Sequence, residues 1–132
     1  MCVCEQLTAD FPDDKKAKSV VVKFPMPPTA ATARANGTKG RARYEPGERA
    51  LVWRISSFQG GQTAELRATV DLLPATREKP WVRPPISMNF EIPMHTSSGV
   101  QVRFLKVYEK SSYETTRWVR YLSKAGDYQY KL

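Results

Sequence analysis

The chain has 132 residues, 41% of them hydrophobic and 26% charged, which is long enough to bury a core without disulfides or metals and too apolar for a wholly disordered polypeptide. Lys and Arg number 21 against 13 Asp and Glu, a formal net charge of +8, so nucleic acid, phospholipid headgroups and acidic proteins are the partners to weigh. No apolar run approaches the roughly 20 residues of a membrane helix, and Met1 opens no basic-then-apolar leader, so the expectation is a cytosolic chain.

In chain order, the first feature is Cys2 and Cys4. On a strand they point to one face, where a bridge between them is badly strained, so both are expected as free thiols. Beyond them the sole nitrogen ligand is His95, read as a loop residue, and structural zinc sites take about four ligands. Gly37-Thr38-Lys39-Gly40 has the wrong spacing for a phosphate loop, and no base or orienting group is placed beside a nucleophile. The expectation is a protein with no metal, no cofactor and no catalytic residues.

From there the dominant signal is period-two alternation broken by Pro, Gly and Asn. Ser19 to Phe24 reads as a strand stopped by Pro25-Met26-Pro27-Pro28, and Thr29 to Ala35 as a flexible loop. Asn36-Gly37 is a turn signal. Lys39 to Tyr44 and Ala50 to Ile55 read as a hairpin, with Pro46 presetting the turn and Gly47 taking positive φ. Trp53 shares a face with Leu51 and Ile55, leaving Arg54 on the other. Ala64 to Leu72 is the clearest strand, with Ala64, Leu66, Ala68, Val70 and Leu72 on its core face.

A charged loop, Ala75 to Lys79, precedes the extended Trp81-Val82-Arg83-Pro84-Pro85. Ile86, Met88, Phe90 and Ile92 then alternate up to Pro93, and a polar loop runs from His95 to Gly99. Val100 to Tyr108 and Arg117 to Leu122 are β-prone runs joined past Lys110-Ser111-Ser112, and Lys124 to Asp127 reads as a turn into a last strand, Tyr128 to Leu132. The predicted fold is all-β, an antiparallel sandwich.

Two groupings of side chains stand out. Lys39, Arg41 and Arg43 fall at every second position and so are expected on one face of a strand, joined by Arg54 from its partner. A row of cations at fixed spacing suits multivalent phosphate ligands, and it equally describes a merely solvated sheet face. The second grouping is Trp118-Val119-Arg120-Tyr121. On an edge strand its free backbone groups accept an extended peptide, whereas Trp inside a sandwich is ordinary core.

The segment Trp81-Val82-Arg83-Pro84-Pro85-Ile86-Ser87-Met88-Asn89-Phe90-Glu91-Ile92-Pro93 resembles part of the clathrin-adaptor medium (mu) chains. Ser98-Gly99-Val100-Gln101-Val102-Arg103-Phe104-Leu105-Lys106-Val107, then Trp118-Val119-Arg120-Tyr121 with Gly126-Asp127-Tyr128, are similar to the end of the mu homology domain. Lys39 to Tyr44 and Leu51 to Ile55 fit the same family, so the resemblance runs from about Ser19 onward. Leu72-Leu73-Pro74 followed by Trp81 looks most like the endocytic, plasma-membrane mu chain, with the Golgi-endosome mu chain as the alternative.

The resemblance implies a partial mu homology domain: about 1–92 the inserted β-sandwich subdomain, and about 93–132 the terminal strands of the outer subdomain. It implies cytosolic tails carrying Tyr-x-x-Φ signals as partners. Trp118 and Arg120 would line the tyrosine pocket, and Val102, Leu105 and Val119 the Φ pocket, by stacking and a charge-assisted hydrogen bond. The acidic residue and lysine that complete the pocket belong to opening strands that this chain lacks. The resemblance also implies a phosphatidylinositol 4,5-bisphosphate surface meeting Lys39, Arg41, Arg43 and Arg54, with Glu45 where the family carries another lysine. Further partners are two large adaptor subunits and one small one, through an N-terminal domain outside this sequence. The implied place is the cytoplasmic side of clathrin-coated pits and vesicles. The rival reading from another class is a basic nucleic-acid-binding β domain, for which there is no RNP-like motif and no aromatic platform beside the basic strand.

Overall fold

The computed structural model describes residues 1–74, 80–111 and 113–132. The expected charged loop at 75–79 and Ser112 of the expected turn lie outside the described residues. The described residues form eight strands: β1 (Cys2–Thr8), β2 (Lys16–Pro25), β3 (Ala30–Gly37), β4 (Arg41–Glu45), β5 (Ala50–Gln59), β6 (Thr63–Leu72), β7 (Ile86–Pro93) and β8 (Leu122–Tyr130). They make a three-stranded sheet in the order β1-β6-β3 and a five-stranded sheet in the order β4-β5-β2-β7-β8, every pairing antiparallel. The chain is an all-β sandwich, as its alternation predicts.

The core lies between the sheets. From β6 come Ala64, Leu66, Ala68 and Val70; β5 supplies Leu51, Trp53 and Ile55; β2 supplies Val20, Val22 and Phe24. Each set alternates with outward residues, so burial follows from the pleat. Leu72, expected on the core face of β6, is 46% exposed at the strand end. Trp53, 1% exposed, donates its indole N–H to the Lys39 carbonyl at 2.7 Å, and the Tyr44 hydroxyl donates to the Ala30 carbonyl at 3.2 Å. These bonds fasten the corner where β3 meets β4.

Several expectations are corrected. The segment read as a loop at Thr29 to Ala35 is instead β3, an edge strand. Its alanines, Ala33 and Ala35, face the core opposite Val70 and Ala68, while Thr32, Arg34 and Asn36 face out. Pairing to β6 supplies a stability that alanine's weak strand propensity does not advertise. β1 is a strand with no counterpart in the prediction; Val3 and Leu7 pack inward, but Glu5 between them hides the period. The hairpin exists with Glu45 paired to Ala50, yet the positive φ falls on Arg49 (49°) and not on Gly47. Bonds from Glu48 N–H to Glu45 O and from Arg49 N–H to Pro46 O, each 3.1 Å, show successive tight turns whose closing residue takes the left-handed conformation.

The C-terminal part departs most. Lys124 to Asp127 does not turn the chain: β8 runs through it, and the residues Gly126 and Asp127 oppose the single Asn89 between the pairs Met88–Tyr128 and Phe90–Ala125. The turn-forming residues are used as a β-bulge. Val100 to Tyr108 and Arg117 to Tyr121, expected as strands, carry no ladder; only Leu122 of the second run is in a strand. The two legs are tied instead by side chains, Arg117 Nη1 donating to the Leu105 carbonyl at 2.8 Å and the Val102 N–H to the Tyr121 hydroxyl at 2.9 Å. A lone pair of strands with no sheet to pack on is marginal in water, and both legs are exposed.

Candidate functional site

The first candidate surface is the outward face of the five-stranded sheet. On β4, Arg41 and Arg43 point away from the core on either side of Ala42, and register sets Arg41 opposite Arg54 and Arg43 opposite Val52. Val52 in turn pairs with Lys23 on β2, and its exposure is 0%, although it belongs to the outward set. Long basic side chains flanking a small apolar one cover it with their methylene stems and keep their charges in water.

Arg54 is held by Glu45, whose Oε1 accepts from Nη1 at 2.7 Å. That hydrogen bond holds the Glu45 carboxyl below its ordinary range and raises Arg54 further. It also offsets the repulsion between Arg54 and Arg41 directly across the ladder. Lys23 meets Glu48 of the turn at 2.6 Å. Among the described residues, Arg41 and Arg43 form no ion pair.

Lys39 does not join this row. It lies in a bend before β4, and Gly40, at φ 71°, stands between it and the strand. A Cβ on Gly40 would meet the Arg54 carbonyl oxygen at 2.2 Å, so the chain needs glycine there both for its backbone angle and for the close approach. The break in alternation turns Lys39 away, and its ammonium donates to Gln62 Oε1. In its place the fold adds cations from β2: Lys16 and Lys18 flank the buried Ala17 and pair with Gln59 and Ser57 on the outward side. The signal was present in Lys16-Ala17-Lys18, but those residues precede the predicted start of the strand. Lys124 of β8 completes the face, engaged by Glu91 at 3.1 Å.

The second candidate surface holds Trp118, Val119, Arg120, Val102 and Leu105. All five are exposed, from 37% at Val119 to 68% at Trp118 among the apolar ones, and none lies in a strand. The two side-chain ties keep Val102 beside Tyr121 and Leu105 beside Arg117, so the five occupy facing legs of one segment. Arg120 also borders a cleft of about 1110 Å³ that opens between β1 and the inner faces of β7 and β8, with Leu7, Met88, Phe90 and Tyr128 in its walls. Trp118 does not reach it. His95 follows β7 at the cleft mouth, and its carbonyl accepts from the Ser123 hydroxyl at 2.8 Å.

A two-sheet antiparallel sandwich with a group of cations on the outer face of its larger sheet defines the class: an all-β module with a charged sheet surface. Residues 2–132 match the adaptor complexes medium subunit family, and the chain belongs to that family. It is 43% identical over 126 residues to the AP-2 complex subunit mu of Dictyostelium discoideum, an alignment covering 94% of this chain and 29% of that protein. To the AP-1 complex subunit mu of the same organism it is 42% identical over 124 residues, covering 93% and 29%. To the AP-1 complex subunit mu-2 of Homo sapiens it is 40% identical over 119 residues, covering 90% and 28%. The chain therefore spans less than a third of the length of these relatives. The family match begins at residue 2, well before the resemblance visible from about Ser19.

Proposed function

We propose that this chain is the membrane-docking and cargo-recognition part of a clathrin-adaptor medium chain, acting in clathrin-mediated endocytosis and vesicle transport. The observation that carries the reading is the outward face of β4, β5 and β2, where Arg41 and Arg43 are unpaired among the described residues and Lys16 and Lys18 extend the charge. A broad, flat arrangement matches a bilayer surface of anionic headgroups, and guanidinium forks suit the phosphate oxygens of phosphatidylinositol 4,5-bisphosphate. Arg54 contributes through its exposed edge while Glu45 holds it, and Lys39 lies to the side. On this reading the protein binds peripherally at the cytoplasmic side of coated pits.

Cargo recognition rests on the legs that carry Val102, Leu105, Trp118, Val119 and Arg120. A Tyr-x-x-Φ tail would add as a strand beside them, with Trp118 and Arg120 receiving the tyrosine. On this reading the chain divides at about residue 92 into an inserted subdomain and terminal outer strands, and the legs, which carry no ladder, belong to the second part. Association with two large subunits and one small one belongs to the rest of a longer medium chain. The reading is an adaptor rather than an enzyme. A Golgi-endosome mu chain is the alternative, because the chain is 42% identical to an AP-1 complex subunit mu and 43% identical to an AP-2 complex subunit mu, a difference too small to separate the two.

The test is co-sedimentation with vesicles containing phosphatidylinositol 4,5-bisphosphate, against phosphatidylserine vesicles of matched charge and with single-stranded RNA as competitor. Selective pelleting that survives the RNA is expected. At about 1 kcal/mol per basic residue near the surface, Arg41→Glu with Arg43→Glu weakens it about 30-fold or more without unfolding the protein. Unchanged pelleting removes the face from the mechanism. Pelleting abolished by RNA assigns it to nucleic acid.

A further inference from the structure

The outward face of the three-stranded sheet carries a different chemistry. Cys2 and Cys4 are both free and exposed. The pattern of β1 turns them outward while Val3 between them packs on the core. Register then fixes their neighbours: Cys4 stands opposite Arg67, which stands opposite Asn36, and Cys2 stands opposite Thr69, which stands opposite Arg34. These six residues surround one shallow depression of about 400 Å³. The strand carrying the thiols is pinned at its start, the Met1 ammonium donating to the Val70 carbonyl at 2.9 Å and the Val70 N–H to the Met1 carbonyl at 2.7 Å.

Both guanidiniums are available to a ligand. Glu65 approaches Arg67 only at 3.9 Å, with both side chains largely in water, and Arg34 has no ion pair among the described residues. Asp71, the other carboxylate of this face, accepts from the Thr32 hydroxyl at 2.8 Å. Two nucleophilic sulfurs therefore share a hollow with two cations, an amide and a hydroxyl. A rise of about 3.3 Å per residue separates Cys2 from Cys4 by roughly 6.6 Å with parallel side chains, so closing a bridge between them strains the strand.

We propose that this hollow is a thiol–disulfide exchange site for a small anionic disulfide of the glutathione disulfide type. Arg67 and Arg34 receive the carboxylates, and Cys4 or Cys2 takes up half the reagent. In the step, a cysteine thiolate attacks one sulfur of the reagent; the reagent's S–S bond breaks and a protein–reagent S–S bond forms. The other half leaves as a thiolate and takes up the proton that the cysteine lost. The cysteine sulfur is oxidised and the departing half is reduced, so no further oxidant is needed. Because the neighbouring cysteine displaces the adduct only by forming a strained ring, the mixed disulfide persists until an external thiol removes it.

The test compares rates of adduct formation, by mass spectrometry at low salt, for glutathione disulfide and for the cationic disulfide cystamine. A synthetic peptide of residues 1–8 is the unstructured reference. The rate ratio favouring the anionic reagent is expected to be about tenfold or more higher in the protein than in the peptide, in line with electrostatic steering. Arg34→Gln with Arg67→Gln, checked for folding by circular dichroism, is expected to bring it down to the peptide's value. Raising the salt to about 0.5 M, which shortens the screening length, lowers it in the unaltered protein without any substitution. A protein ratio equal to the peptide's, or one indifferent to both the substitutions and the salt, overturns the proposal.

Discussion

The two outward faces of the sandwich are built by the same rule and differ in charge. On the five-stranded side, Lys16, Lys18 and Lys23 of β2 lie beside Arg54 of β5 and Arg41 and Arg43 of β4, offset in part by Glu45 and Glu48. On the three-stranded side, Arg34 and Arg67 are matched by Glu65 and Asp71. Alternation makes both faces polar because it sends every second side chain to solvent. It does not set their sign, which depends on which strands lie side by side. The two proposals follow this difference, an extended anionic surface for the first face and a small anionic molecule for the second.

The largest effect is expected from removing what lies behind both faces. Trp53→Ala takes out the large buried ring between the sheets together with its bond to the Lys39 carbonyl. A loss of about 3–5 kcal/mol is expected, read as a lower denaturant midpoint by fluorescence of the remaining tryptophans, and both faces should fail together. A stable variant would mean that the sheets are held independently.

A sharper test reverses charge on one side at a time. Arg34→Glu with Arg67→Glu is expected to leave vesicle pelleting within about twofold, whereas the Arg41 and Arg43 reversal reduces it about 30-fold or more. Equal losses would show that only net charge matters and that the faces are not distinct.

The smallest effect concerns the clamp on Arg54. Glu45→Gln releases that guanidinium and is expected to strengthen vesicle binding about fivefold. Because Arg54 holds the Glu45 carboxyl below its ordinary range, the pair's contribution to stability is fully present above the ordinary carboxylate range and is lost as pH falls through the lowered value. Thermal scans across that acid window should therefore show a flatter dependence in Glu45→Gln than in the unaltered protein.

Much of the fold is legible one strand at a time. β6 shows its core face directly, because Leu66 and Val70 alternate with Glu65, Arg67 and Asp71. β3 is not legible, since alanine between polar residues carries little contrast, and its strand exists because β6 offers it a ladder. The opposite error arises at Val100 to Tyr108, where strong β propensity finds no ladder. The same limit applies to the sites. Arg41 and Arg43 are legible from their spacing, whereas the same spacing places Lys39 in their row and does not reveal the positive φ at Gly40 that takes it out.

The amino-acid sequence alone carries the all-β class, the existence of β2, the faces of β5, β6 and β7, the free thiols, and the resemblance to adaptor medium chains. Each is a property of one segment, set by where consecutive side chains point. Strand packing is what brings Lys16 and Lys18 to the face of Arg41, Glu45 to Arg54, and Arg67 beside Cys4. Those neighbours meet through hydrogen-bond register, across the β4–β5 hairpin for Glu45 and Arg54 and between strands farther apart in the chain for the others, and a one-residue slip of a strand in that register would carry its side chains to the opposite face.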